Sequence, residues 1–180
     1  MVENTKQSLG VDICRYLSYG LKAYCLISKQ LVNVDFRCDL SGIILKPFGD
    51  LAKSTEAMTS PYQLLKDDKL KPILFPITCI TEEITVNNET FIPLTRLAEI
   101  AFPAYEWGTD RNCVTSNTGY WFWFSEGSFC VDGTISNAVP RQSILFDNLN
   151  QWKIDYRGLI NEGLAVSALE LNNPYKNRNE

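Results

Sequence analysis

Apolar and polar residues alternate with the period of a β-strand in the first quarter of the chain. Residues 31–38 carry an apolar side chain at every second position, the pattern of a strand with one buried face. Residues 21–28 form a second β-rich run, and Lys29–Gln30 between the two runs predicts the turn of a hairpin. Residues 42–46 predict a third strand.

Prolines mark the starts of the helices predicted in the second half. Pro76 and Pro93 each precede apolar residues at helical spacing. We therefore expect a short helix over 76–83 and an amphipathic helix that ends at Pro103. Pro140 begins the clearest helical pattern. Its expected apolar face comprises Ile144, Leu145, Leu149 and Trp152.

Asn-Asn and Asp-Gly pairs predict two further hairpins, because these residues accept the positive φ angles of a tight turn. Asn87–Asn88 is expected to turn a hairpin over residues 84–92. Asp132–Gly133 is expected to turn a second hairpin over residues 129–136.

The densest apolar feature is a run of five consecutive aromatic residues at 120–124. In a strand, Trp121 and Trp123 would point to one face and the other three aromatic side chains to the opposite face. The simpler interpretation is a central strand that is buried on both faces. The alternative is an exposed face on which the two tryptophans form a binding surface, since Trp is a favoured interface anchor.

Together these patterns predict an α+β fold: a single compact domain of antiparallel hairpins with three or four short helices. A chain of 180 residues is most simply one domain, which we place at 11–171. Polar ends predict a flexible N-terminus over 1–10 and a flexible tail over 172–180. The least apolar stretch, 48–71, is a candidate mobile insertion.

The chain contains no histidine, which removes most catalytic and metal-binding arrangements. Ser-His-Asp and Cys-His nucleophiles and Cys/His zinc sites cannot form within it. Neighbouring cysteines are at least 11 residues apart, so no pair has zinc-ligand spacing. Gly-rich phosphate-binding motifs are also missing from the sequence. We therefore expect no catalytic residue, no metal and no cofactor.

Carboxylate chemistry needs no fixed sequence spacing, so a carboxylate-dependent hydrolase is an alternative function. The candidate acids are Glu82, Glu83, Glu126 and Asp132. Each of these acids is more simply interpreted as an ordinary surface residue.

The charge balance and the ends of the chain bear on partners and compartment. The 17 basic and 21 acidic side chains give a net charge of -4. Direct nucleic-acid binding usually requires a basic excess, so free nucleic acid is not an expected partner, whereas a basic protein is. The first ten residues lack the apolar core of a secretory signal, and no apolar run approaches the ~20 residues of a membrane helix. We expect a cytoplasmic protein with reduced cysteines and no membrane contact.

Two neighbouring segments supply the candidate contact residues for a partner. Residues 104–118 are polar and predict a loop with an exposed aromatic pair, and loops often carry binding residues. The aromatic strand supplies the two tryptophans. The candidate partner-binding residues are Tyr105, Trp107, Asp110, Arg111, Trp121 and Trp123.

Three segments carry a family resemblance: YLSYGLKAYCL at 16–26, KPILFPITCITEEITVNNETFIPLTRLAEIA at 71–101 and SILFDNLNQWKIDYRGLINEGLAV at 143–166. They resemble a diffuse set of small uncharacterised proteins encoded by phages, prophages and mobile elements of Bacteroidota bacteria. Phe75 stands where those proteins have arginine, and Lys153 where they have histidine. The resemblance implies an accessory factor that binds a host protein, as anti-CRISPR proteins and other inhibitors of host defence do.

Our leading hypothesis is a non-enzymatic phage-type protein that binds and inhibits a host nucleic-acid-targeting defence effector. An RNA- or DNA-guided nuclease is the expected class of partner. The hypothesis rests on the acidic balance, the missing catalytic set and the clustered aromatic residues. A structural or regulatory phage protein that forms a homo-oligomer through the aromatic strand is the alternative, and the carboxylate-dependent hydrolase is the second alternative.

Overall fold

In the computed structural model, the described residues contain two main β-sheets, two complete α-helices, a 3₁₀-helix and helical residues at 15–17, which confirms the predicted α+β class. The larger sheet contains six strands, the smaller one contains four, and a two-stranded hairpin lies apart from both. The structure describes residues 15–27, 29–36, 43–47, 69–132 and 138–176.

The strands and helices are numbered separately, each in chain order. The strands are β1 (Leu21–Cys25), β2 (Gln30–Phe36), β3 (Ile43–Pro47), β4 (Leu70–Pro76), β5 (Ile84–Val86), β6 (Glu89–Phe91), β7 (Trp107–Asp110), β8 (Cys113–Ser116), β9 (Trp121–Ser125), β10 (Ser128–Val131), β11 (Ile154–Asp155) and β12 (Val166–Ser167). The helices are a 3₁₀-helix (Ile77–Thr81), α1 (Pro93–Ala101) and α2 (Gln142–Gln151).

Strand β4 organises the larger sheet. It pairs antiparallel with β1, and antiparallel pairing continues through β2 to β3. The two short strands β11 and β12 also pair with β4, but in parallel, with Ile154 opposite Phe75 and Val166 opposite Ile73. The predicted strands in the first 47 residues are therefore confirmed, and β4 links them to the C-terminal part of the chain.

The side chains of β4 are buried on both faces and divide the apolar core into two clusters. Leu70 and Leu74 pack in a cluster with residues of β1 and β2, including Ala23. Ile73 and Phe75 pack in a larger cluster with both helices and the four-stranded sheet. Alternation along one nearly all-apolar strand therefore supplies both cores.

The four-stranded sheet is antiparallel, in the order β10-β9-β8-β7. Helix α1 contacts three of its strands on the inner face, where Val114 and Phe122 have no exposed surface. This helix forms as predicted, because Pro93 suits its first turn and Leu94 and Leu97 share one buried face. The helix therefore closes one face of the sheet.

The predicted turn chemistry is confirmed in two hairpins. Lys29 has a φ of 56° in the β1–β2 turn. Asn87 and Asn88 have φ angles of 54° and 66° between β5 and β6, the left-handed pair that a tight two-residue turn requires.

One prediction for the aromatic half of the chain needs correction. Residues 104–118 form the β7–β8 hairpin and its flanks rather than a loop, because β7 and β8 pair over four residues. The turn after the aromatic strand lies at Glu126–Gly127, where both φ angles are positive, at 51° and 74°. The separate hairpin expected over residues 129–136, with its turn at Asp132–Gly133, lies partly outside the described residues, which omit 133–137.

Helix α2 confirms the third helical prediction except at one position. Leu145, Leu149 and Trp152 are buried, whereas Ile144 is 47% exposed. Ile144 precedes Leu145 by one position, which rotates its side chain by about 100° away from the buried direction. The expectation that Ile144 lies on the apolar face is therefore wrong.

The expected chain ends and insertion fall partly within the described residues. The flexible tail expected over 172–180 is wrong at Tyr175, which is buried and hydrogen-bonded to the larger sheet. The last two residues of the expected 48–71 insertion belong to β4. Residues 48–68 and 1–10 lie outside the described residues.

Candidate functional site

Strand β9 presents a tryptophan to solvent. Trp121 is 56% exposed, Trp123 on the same side of the strand is partly buried, and Phe122 between them is fully buried on the opposite side. The predicted division of the aromatic side chains between two faces is confirmed. The interpretation of the strand as buried on both faces is wrong, because α1 covers only the Phe122 side.

We call the side of the four-stranded sheet that carries Trp121 the outer face. Thr115 on β8 lies opposite Trp121, and Cys130 on β10 lies opposite Trp123. The backbone N–H of Asp132 donates to the Trp121 carbonyl at 2.9 Å, which makes Asp132 the neighbour of Trp121 on its other side. By strand alternation the outer face comprises Asp110, Cys113, Thr115, Trp121, Trp123, Cys130 and Asp132.

Trp107, expected in an exposed aromatic pair, is buried in the larger core. Its ring centre lies 6.1 Å from that of Phe122 and 6.2 Å from that of Phe102. Its indole N–H donates to the Phe102 carbonyl at 3.3 Å. The expected exposure of Trp107 is wrong because the residue begins β7, whose pairing with β8 directs it to the inner face. Trp107 is therefore a packing residue.

Tyr105 belongs to the edge of the same core. Its ring makes edge-to-face contacts with Trp107 at 6.2 Å and with Tyr120 at 5.5 Å between ring centres. The side chain is half-buried by these contacts. Tyr105 and Trp107 therefore lie together, but not on the outer face.

Asp110 and Arg111 are exposed at the β7–β8 turn, where Arg111 has a φ of 47°. Asp110 pairs with Cys113 at the end of β7, on the outer face. Of the six predicted contact residues, the structure brings Asp110, Trp121 and Trp123 onto one sheet face and places Arg111 at its corner.

Acidic side chains predominate in this part of the chain. Residues 104–140 contain four acids, Glu106, Asp110, Glu126 and Asp132, and a single basic residue, Arg111. This segment therefore accounts for three of the four net negative charges of the chain. Two of the four carboxylates belong to the outer face itself, so the exposed tryptophan lies in an acidic environment.

The candidate acids for hydrolysis lie on separate elements. Glu82 and Glu83 are exposed after the 3₁₀-helix, Glu126 is exposed in the β9–β10 turn, and Asp132 is half-buried after β10. Within the described parts of the chain, no cluster of three or more His, Cys, Asp or Glu side chains has the geometry to hold a metal ion.

A buried polar cluster that the sequence did not signal joins the C-terminal segment to the larger sheet. The Tyr175 hydroxyl donates to the Ile73 carbonyl at 2.8 Å and accepts the Lys22 backbone N–H at 3.0 Å. The Lys153 side chain is only 2% exposed, and its amine donates to two backbone carbonyls, one of them that of Gln151 at 2.7 Å. An amine enclosed in this way supports the fold and offers no access to a ligand.

The electrostatics of this cluster follow from its burial. Burial, and then the neighbouring Lys22 ammonium, lower the pKa of Lys153 to about 8. Burial also raises the pKa of the Tyr175 hydroxyl. The amines of Lys22 and Lys153 lie 5.8 Å and 5.3 Å from the centre of the Tyr175 ring, within cation–π range. No local pattern in the sequence indicates this cluster.

Comparisons with known proteins add no further information about function. No protein-family model matches the chain, and neither a curated protein nor a solved structure shows significant similarity to it. Among the helices of the described residues, none has the length and apolar character to span a bilayer. The outer face is the candidate functional site.

Proposed function

We propose that the protein is a non-enzymatic binding protein whose outer face docks on a host protein and inhibits it. The observation that carries the proposal is the 56% exposure of Trp121 on a strand whose other face is packed. Burying such a ring contributes about 2 kcal/mol or more in a well-packed interface. A partner that covers Trp121 would gain this contribution.

The packing behind β9 supports this role. Phe122 and Phe129 stack with ring centres 5.8 Å apart and planes 11° apart, and Phe124 meets Phe129 edge to face at 4.9 Å. These contacts fix the backbone of β9 and β10. Trp121 and Trp123 are therefore presented in a preorganised geometry, which reduces the entropic cost of binding.

We propose a nucleic-acid-targeting defence effector as the host target, for instance an RNA- or DNA-guided nuclease, met in the cytoplasm. Effectors of this class carry basic surfaces that bind phosphate groups. An acidic face with an aromatic centre is complementary to such a surface. The resemblance to proteins of phages and mobile elements supports the same class. Residues 112–140 contain no basic side chain, which argues against direct contact with nucleic acid.

Affinity purification from a lysate of a related host, followed by mass spectrometry, tests the proposal. We expect Trp121→Ala to reduce recovery of the partner at least about 10-fold, the loss typical of an anchoring tryptophan. Leu169→Ala is the matched control, because Leu169 is also 56% exposed but follows β12 in the larger sheet. Both variants are expected to unfold at the wild-type temperature, since neither side chain belongs to a core cluster.

Inhibition is then measured by adding the purified protein to the recovered effector and following cleavage of its nucleic-acid target. Wild type and Leu169→Ala are expected to reduce cleavage equally, and Trp121→Ala much less. Recovery of the same partner by Trp121→Ala and Leu169→Ala in equal amounts would show that the outer face is not the docking surface.

A further inference from the structure

We propose that the outer face takes an arginine side chain of the partner, with the guanidinium stacked on Trp121 and paired with Asp132. This inference rests on the proposed function and specifies the chemistry of the partner at that face. The expected occupant of the outer face is an arginine-bearing protein segment, not an apolar ridge or a second copy of the chain.

The geometry that carries the inference is the pairing of an exposed indole with a carboxylate. The hydrogen bond from the Asp132 N–H to the Trp121 carbonyl places the two residues side by side on adjacent strand segments. Directly opposite residues on one face have Cβ atoms about 5 Å apart. A guanidinium within about 6 Å of the indole centre is therefore also within reach of the Asp132 carboxylate.

A carboxylate accepts from several donors at once, so the proposed contact does not require Asp132 to lack other partners. An ionised carboxylate has two oxygens and about four acceptor positions. Asp132 is half-buried, so its hydration is already reduced at the protein surface. A charge-assisted hydrogen bond formed there is stronger than one at a fully exposed acid.

Arginine suits this arrangement better than lysine. A guanidinium is planar, is more weakly hydrated than an ammonium and stacks on aromatic rings while it donates in its plane. Lysine offers a compact, strongly hydrated charge that cannot satisfy both contacts as well. The face should therefore distinguish the two basic residues, which a purely electrostatic attraction would not.

A second carboxylate extends the complementary surface. Asp132 is level with Gly108 on β7, through Trp121 and Thr115, and Asp110 lies two residues further along β7. The two acids are therefore about 14 Å apart across the strands and about 7 Å apart along them, which makes about 16 Å in all. Trp123 and Cys113 lie between the two acids on the outer face. The face therefore fits a partner segment with two basic groups separated by about this distance.

A second copy of the chain fits the face poorly. Face-to-face docking of two identical outer faces would enclose four carboxylates, Asp110 and Asp132 of each copy, in one interface. Like charges brought together at an interface are unfavourable, because they lose hydration without a compensating pair. The face is thus complementary to a basic partner rather than to itself.

Binding of octa-arginine and octa-lysine peptides to the full chain at low salt tests the inference. The readout is tryptophan fluorescence together with the indole N–H resonances in NMR spectra, which separate Trp121 from the other three tryptophans. We expect octa-arginine to bind at least about fivefold more tightly than octa-lysine and to shift the Trp121 resonance first. Equal affinities of the two peptides would overturn the inference.

Substitutions of acidic residues then test whether the arginine contacts Asp132. Asp132→Asn is expected to weaken octa-arginine binding about fivefold or more, whereas Glu162→Gln, at an exposed acid far along the chain, changes it less than twofold. If Asp132→Asn lowers the unfolding temperature, Trp121→Ala is compared with Glu162→Gln instead, and we expect it to remove the preference for octa-arginine over octa-lysine. Equal binding by the outer-face variant and Glu162→Gln would overturn the inference.

Recovery of the host partner by Trp121→Ala and Asp132→Asn distinguishes this inference from the proposed function. Loss of the partner in both Trp121→Ala and Asp132→Asn supports both. Loss in Trp121→Ala alone leaves the docking face in place and overturns the arginine contact. Retention of the partner in both variants overturns the docking face and the arginine contact together.

Discussion

Lys153 is a cation enclosed by the fold. Its amine donates to two backbone carbonyls and lies over the Tyr175 ring, and the neighbouring Lys22 ammonium further disfavours its positive charge. The charged form is therefore less favourable in the folded chain than in water, where a lysine amine has a pKa of 10.5. Stability must consequently depend on pH through this residue.

The sign of that dependence follows from the lowered pKa. Between pH 8 and 10.5 the unfolded chain binds a proton at Lys153 that the folded chain does not, so stability rises with pH in this window. We expect the free energy of unfolding of wild type, relative to Lys153→Met, to increase by about 2 kcal/mol from pH 7.5 to 9.5. Urea unfolding of both proteins at the two pH values measures it.

Taking the difference between the two proteins removes the contributions of all other titrating groups. The absolute stability of Lys153→Met is not the readout, because methionine also leaves two backbone carbonyls without their donor. Parallel pH profiles for the two proteins would show that the Lys153 amine is not neutralised by burial.

At the residue scale, the sequence predicted the directions of the β9 side chains but not the exposure of Trp121. The alternation of β9 fixes the opposite directions of Trp121 and Phe122 once a strand is assumed. The burial of Trp107 depends on pairing between β7 and β8, whose polar residues give no apolar alternation. Lys153 and Tyr175 meet only through tertiary contacts, so no local pattern could place them together.

At the element scale, the C-terminal segment over residues 173–175 is hydrogen-bonded to two separate parts of the fold. The Tyr175 carbonyl accepts the Asn87 N–H at 2.9 Å, and the Asn173 side chain donates to the Thr85 carbonyl at 2.9 Å. The Tyr175 hydroxyl meanwhile bonds backbone groups of β1 and β4. The segment therefore joins the β5–β6 hairpin to the larger sheet.

We expect Tyr175→Phe to lower the free energy of unfolding by about 2 kcal/mol. The substitution keeps the ring but leaves the Ile73 carbonyl and the Lys22 N–H without the hydroxyl, and a buried unpaired polar group costs about 1–3 kcal/mol. Chemical denaturation measures the change.

Tyr156→Phe is the matched control for Tyr175→Phe. Tyr156 is half-buried, its ring lies 5.1 Å from that of Phe146, and its hydroxyl makes no hydrogen bond within the described residues. We expect its removal to change stability by less than about 0.5 kcal/mol. Equal effects of the two substitutions would show that the hydrogen bonds of the Tyr175 hydroxyl do not stabilise the fold.

Element prediction succeeded where local chemistry decides the outcome. The Asn87–Asn88 turn and the helix that begins at Pro93 follow from backbone preferences of those residues. The parallel pairing of β11 and β12 with β4 does not, because each of those strands is only two residues long. Their position depends on contacts with residues about 80 to 90 positions earlier in the chain.

On the scale of the whole molecule, the negative charge is unevenly distributed. Residues 104–140 contribute three of the four net negative charges, and the sheet in this segment exposes Trp121. Electrostatic complementarity of this kind increases association rates with a basic partner and disfavours like-charged pairs. The composition indicated the acidic balance, but its concentration around one sheet face required the strand register.

The distribution predicts that the purified protein is a monomer. We expect light scattering after size-exclusion chromatography to give a mass near 20.4 kDa at both 50 mM and 500 mM NaCl. High salt screens the repulsion between acidic faces, since the screening length falls to a few ångströms. The measurement at 500 mM NaCl is therefore the more demanding test of the monomer, because high salt would also strengthen an apolar contact through the tryptophans.

A mass twice the monomer value that disappears in Trp121→Ala would assign the outer face to self-association and favour the homo-oligomeric alternative. A dimer that persists in this variant would place the interface elsewhere and leave the outer face free for a basic partner.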